Sequence, residues 1–95
     1  MPAYIIAQIN VNDPSKYQEY VKGAGPANAR YGGKFLVRGG AKTTLEGDIP
    51  FSRIVVTEFP NVEAAKKFYN SPEYQAARKH RLGAADFNMV IVEGA

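Results

Sequence analysis

Arginine and tyrosine are the residues of this chain whose types and positions could do chemistry. Arg38 and Arg53 carry guanidinium forks that can hold a carboxylate or enolate through two hydrogen bonds, and the hydroxyls of Tyr69 and Tyr74 could orient what is held. Glu58 closes the same strand region with a carboxylate. Set around an apolar cleft, these five would accept a small organic acid or aromatic. A plainer arrangement pairs Arg38 or Arg53 with Glu58 across neighbouring strands and leaves Tyr69 and Tyr74 as core aromatics with their hydroxyls at the surface. His80 is the single histidine and the only side chain that titrates near neutrality without a perturbed pKa, so a base or an axial haem ligand would sit most naturally there. Its neighbours Arg78, Lys79 and Arg81 favour the neutral ring, and a segment so charged is expected at the surface.

Composition removes several alternatives. With no cysteine there are no disulfides, thiolate metal sites or thiol nucleophiles, and one histidine builds no multi-histidine metal site within a chain. The expectation is a site without a metal or other cofactor. No run approaches the roughly 20 apolar residues that cross a bilayer, and Met1 to Ile5 lacks the basic-then-apolar pattern of an export signal, so no membrane partner and a cytoplasmic location are expected. A net charge of +3 with acidic and basic residues interspersed does not call for a polyanion. Pro2 would become a secondary amine if Met1 were removed, the kind of base that tautomerases use, but two residues make a thin motif. The phosphate-binding G-x-x-x-x-G-K-[ST] loop is absent.

The elements that must position these groups follow from period and punctuation. Ala3 to Val11 alternates, with Ile5, Ala7, Ile9 and Val11 on one face and Tyr4, Ile6, Gln8 and Asn10 on the other, which predicts a strand with two unlike faces. Asp13-Pro14 supplies a helix cap and a first-turn proline. Tyr17, Tyr20, Val21 and Ala24 fall on one helical stripe, and Gly23-Ala24-Gly25-Pro26 predicts a kink or break before a last turn that ends near Gly32. Lys34 to Arg38, fenced by Gly32-Gly33 and Gly39-Gly40, reads as a buried strand with a bend or bulge at the second glycine pair. An exposed connection over 41–50 leads to a third strand, Phe51 to Phe59, making a long-looped hairpin. Asn61 caps a helix that packs through Ala65, Phe68 and Tyr69. Ser71-Pro72 starts another, with Tyr74, Ala77 and Arg81 or Leu82 on its stripe, and Phe87 to Glu93 forms the last strand.

The order β-α-β-β-α-β, closed with right-handed crossovers, gives an α+β fold: a ferredoxin-like plait over residues 1–95, with a four-stranded antiparallel sheet and helices on one face only. The other face keeps Ile, Val and Tyr that nothing in a chain of 95 residues remains to cover. A second copy packed sheet to sheet would cover it, giving a homodimer and a dimeric α+β barrel. RNA-recognition modules share the strand order, yet Arg53 to Phe59 lacks their aromatic-and-glycine motif, so no nucleic acid is expected.

Tyr4-Ile5-Ile6-Ala7, Asp13-Pro14 with Tyr17 and Tyr20, Tyr31-Gly32-Gly33-Lys34-Phe35-Leu36-Val37-Arg38-Gly39-Gly40, Leu45-Glu46-Gly47, Glu58-Phe59-Pro60 and Tyr69-Asn70-Ser71-Pro72-Glu73-Tyr74 resemble, in order, the family called domain of unknown function 1330. The resemblance spans nearly the whole chain and implies the dimeric α+β barrel superfamily, which holds cofactor-free oxygenases, haem-degrading enzymes and dehydrating enzymes. It brings no catalytic residues to carry over. Phe68 stands where many relatives would have tryptophan, a change of packing. The functional expectation is a small homodimer that binds or transforms an organic acid or aromatic; a non-catalytic binding or structural module is the alternative.

Overall fold

In the computed structural model, which describes residues 1–95, the order is β1 (Ala3–Val11), α1 (Pro14–Arg30), β2 (Lys34–Arg38), β3 (Arg53–Phe59), α2 (Val62–Tyr69), α3 (Pro72–Arg81) and β4 (Ala85–Glu93). The four strands form one antiparallel sheet in the order β2-β3-β1-β4. This is the ferredoxin-like plait, a slab 32 × 31 × 16 Å with helices on one side.

The helix starts are built as the sequence predicts. Asp13 accepts from the Lys16 amide, Asn61 from Ala64 and Ser71 from Tyr74, and prolines occupy the first turns of α1 and α3. Gly32, at φ +83°, ends α1: its amide reaches the Ala29 carbonyl, and the Gly33 amide reaches that of Asn28 at 2.7 Å.

Alternation in β1 is equally direct. Ala3, Ile5, Ala7 and Ile9 are buried beneath the helices, while Tyr4, Ile6, Gln8 and Asn10 face the open side. Over that buried row lie Tyr17, Tyr20, Ala24 and Ala27 of α1, Ala65 and Phe68 of α2, and Tyr74 and Ala77 of α3. Gly23 lets α1 and α3 touch, since a Cβ there would come within 2.8 Å of the Ala77 Cβ.

Three expectations are corrected. α1 runs unbroken through Pro26, because Pro26 and Lys22, whose carbonyl loses its helical donor, both lie on the exposed side, while Ala24, Ala27 and Asn28 hold the inner side against the core. β2 is not a buried strand but the sheet edge, with four of its five residues exposed, since β3 alone pairs with it. Its irregularity falls between Phe35 and Val37, not at Gly39-Gly40. Two boundaries also move: β3 begins at Arg53 and β4 at Ala85. No helix is long and apolar enough to cross a membrane.

Candidate functional site

The bulge in β2 decides what the covered face carries. Lys34 pairs with Glu58 on the open side and Phe35 with Thr57 on the helix side; after Leu36 the register slips, so Val37 meets Val56 and Arg38 meets Val55. Arg38 thereby joins Phe35, Arg53, Val55 and Thr57 on the face beneath α1. Without the extra residue its parity would place it outside.

Between that face and α1 lies a cleft. Its floor is Ile5, Ala7 and Ile9 of β1 with Val55, Phe87 and Met89, its roof is Tyr17, Tyr20, Val21, Ala24 and Gly25, and Phe68 and Tyr74 close its inner wall. Polar groups enter from Arg38, Arg53, Thr57 and Asn28. Space not filled by atoms amounts to about 530 Å³ including the open mouth. The cleft is therefore a small, mostly apolar pocket with a few polar groups at its wall.

Both arginines are without a carboxylate partner, the ion pairs of the chain being Lys22–Glu19 and Arg30–Glu73. Arg38 lies over the Phe35 ring, 4.3 Å from its centroid, and Arg53 stands 6.0 Å from that of Tyr17. Gly39, at φ +70°, makes room for Arg53: a Cβ there would sit 2.6 Å from the guanidinium carbon. Arg53 Nε is buried and unpaired.

Asn28 is the opposite case. Its Nδ2 donates to the Ala24 carbonyl at 2.9 Å, which fixes the amide orientation and leaves Oδ1 buried with no donor. Tyr20 and Tyr74 share a hydroxyl–hydroxyl contact of 3.1 Å, and Tyr74 is wholly buried, so its hydroxyl does not reach the surface. Burial first, and Tyr74 second, push the Tyr20 phenol far above its ordinary range, so it stays protonated and is no base.

The structure divides the six residues named from the sequence. Arg38, Arg53 and Tyr74 line the cleft. Tyr69 packs on Tyr74 with ring centroids 5.4 Å apart, but lines a separate apolar hollow with Ile5, Met89, Val90 and Ile91. Glu58 lies on the other side of the sheet, where Tyr4 contacts it; desolvation first, and this carboxylate second, raise the Tyr4 pKa. No arginine pairs with Glu58, because an odd spacing along β3 puts Arg53 and Glu58 on opposite faces. His80 is exposed on the last turn of α3. Its neighbour Arg81 is buried instead, stacked 4.0 Å from the centroid of Phe87. Asn28 and Thr57 escaped the sequence reading; Asn28 lies four residues beyond Ala24 on the stripe that begins at Tyr17, and that spacing was the available signal. No three His, Asp or Glu side chains gather as a metal site would require.

Comparison with known proteins places this geometry in context. The family model described as domain of unknown function 1330 matches residues 2–95. No curated protein matches the sequence. Among solved structures, a protein of unknown function from Rhodopseudomonas palustris superposes with a TM-score of 0.79 at 23% identity, over 99% of this chain and 82% of that one. A dimeric protein of unknown function with a ferredoxin-like fold from Bacteroides fragilis gives 0.66 at 14% identity, over 98% and 96% of the two chains. SnoaB, a cofactor-independent oxygenase from Streptomyces nogalater, gives 0.63 at 10% identity, over 99% and 93%. At these identities the likeness is one of fold.

Proposed function

The chain belongs to the family of domain of unknown function 1330, and from that premise we propose that it works as a homodimer whose sheet–helix cleft takes up a small, flat organic acid or aromatic. The observation that carries the reading is the presence of two guanidiniums, Arg38 and Arg53, at a mostly apolar cleft and without a carboxylate of their own. Arg53 is half-buried and Arg38 exposed at the edge of the cleft, and two cations without carboxylate partners attract an anion there. The chemistry this supplies is electrostatic: stabilisation of a carboxylate, or of an enolate should the bound molecule ionise. The oxygenase activity of SnoaB, a protein of like fold, is compatible with small-molecule transformation in such a cleft.

The dimer half of the reading rests on the open face. Ile6, Ile54, Val56, Val90 and Val92 lie there, with Val90 and Val92 about half exposed, and no element of the chain covers them. The Bacteroides fragilis protein of the same fold is dimeric.

A plug of the cleft tests the ligand. Gly25 lines the roof, and a Cβ there would meet only the Arg38 guanidinium, at 3.6 Å. Gly25→Leu puts a side chain into the cleft; because Gly25 precedes Pro26, its Cβ also crowds the proline ring, so the variant is compared with its own unliganded state. Wild-type protein is expected to show a saturable rise in melting temperature with aromatic carboxylates, and Gly25→Leu to show no such rise over its own unliganded melting temperature. The structural alternative predicts no rise in either protein.

A further inference from the structure

The connection from β2 to β3 is the longest stretch of the chain outside helix and strand. Residues 40–52 make no backbone-to-backbone hydrogen bond, and every residue from Gly40 to Pro50 is exposed. A connection this long without structure of its own usually has a use. Its apolar side chains are open to water, Leu45 at 90% and Ile49 at 42%. A lone exposed leucine needs no explanation, but this one stands on a segment rooted at the uncovered face of the sheet.

Asn10 makes that root. It lies on the open side of β1, where its Nδ2 donates to the Pro50 carbonyl at 2.8 Å and its Oδ1 accepts from the Ser52 amide at 2.9 Å. Both ends of one amide are used, so the chain entering β3 is drawn toward the open side. Lys42 Nζ donates to the Ser52 carbonyl at 3.0 Å and closes the base, while Gly47, at φ +72°, turns the tip. We infer that this connection is an arm that lies against the second copy in the homodimer and buries Leu45 and Ile49 there. The inference rests on the homodimer reading and names the segment that completes its interface.

Three observations favour a second copy as the occupant. The helices lie on the other side of the sheet, so the arm's own chain offers it no cover. The open face continues the arm's apolar surface through Val37, Val90 and Val92, all more than 40% exposed. That face is 32 by 31 Å across, about what a standard interface of roughly 800 Å² per partner occupies, whereas permanent homodimers bury more and more apolar area. Two arms supply the difference, because a twofold axis makes each contact twice.

Leu45→Ser should weaken the dimer about tenfold for each arm, about a hundredfold in all, by sedimentation equilibrium, with the far-UV circular dichroism unchanged. The chain has no tryptophan, so Leu45→Trp makes the arm its own reporter. Its emission is expected at shorter wavelength where sedimentation shows a dimer and at that of free tryptophan after dilution to single chains. A dimer that Leu45→Ser leaves equally tight overturns the inference and leaves the face-to-face dimer standing. Free-tryptophan emission within the dimer overturns it too, as does a short-wavelength emission that persists in single chains, where the arm packs on its own chain. A wild type that sediments as a single chain at every concentration removes dimer and arm together. Should Leu45→Trp fail to fold, Leu45→Ser decides alone.

Discussion

The two faces of the sheet share every strand and differ in almost everything else. On the covered face small and large residues alternate under the helices: Ala3, Ile5, Ala7 and Ile9 are all at most 4% exposed, Phe59 is fully buried, and so is Tyr74 of α3 packed above them. The open face carries residues of similar apolarity at Ile6, Ile54, Val56 and Val90, yet none of them is buried. Burial in the single chain is thus set by which face the helices occupy, not by hydrophobicity of the strand residues. The covered face also shows where packing was given up. Arg38, Arg53, Asn28 and Thr57 interrupt it around the cleft, although apolar residues there would have filled the core.

Truncation separates the two faces most strongly. Phe59→Ala removes a ring packed 5.2 Å from that of Phe68 and should cost about 3–5 kcal/mol, read as a loss of urea resistance. If the open face instead meets a second copy, Ile6→Lys should leave the far-UV circular dichroism unchanged while raising the dimer dissociation constant at least tenfold, as followed by sedimentation equilibrium. A single-chain sedimentation profile for the wild type would end the dimer reading and leave the covered face as the sole core.

The smallest effect lies at the rim of the covered face, where α1 begins. The backbone amide of Lys16 and then the Ser15 hydroxyl hold the Asp13 carboxyl below its ordinary value. A depressed folded pKa contributes stability above the ordinary aspartate range and loses it as pH falls through the lower, folded value. Glu73 has the same sign, with its own backbone amide the largest cause and Tyr31 and Arg30 adding to it. Asp13→Asn keeps a capping oxygen and removes the titration, so its melting temperature should fall less steeply than that of wild type below pH 4.

Much of this was legible in the sequence where the signal is local. Asp13-Pro14, Asn61 and Ser71-Pro72 mark the three helix starts because capping needs only a few consecutive residues, and β1 announces both faces through its period of two. The separation of Arg53 from Glu58 was also available, since an odd spacing along one strand puts them on opposite faces. The Pro26 break was predicted and did not occur, because propensity acts on the isolated helix while Ala24, Ala27 and Asn28 anchor this one from inside.

By itself, then, the amino-acid order determined the elements, their order and the family, since caps, glycine turns and alternation are properties of neighbouring residues. Tertiary structure alone decided that β2 is an edge, that one extra residue at its middle brings Arg38 to the α1 side of the sheet, and that Asn28 Oδ1 and Arg53 Nε are buried without partners. These depend on strand pairing and on the approach of α1 to the sheet, contacts between residues far apart in the chain, and no short stretch of sequence encodes them.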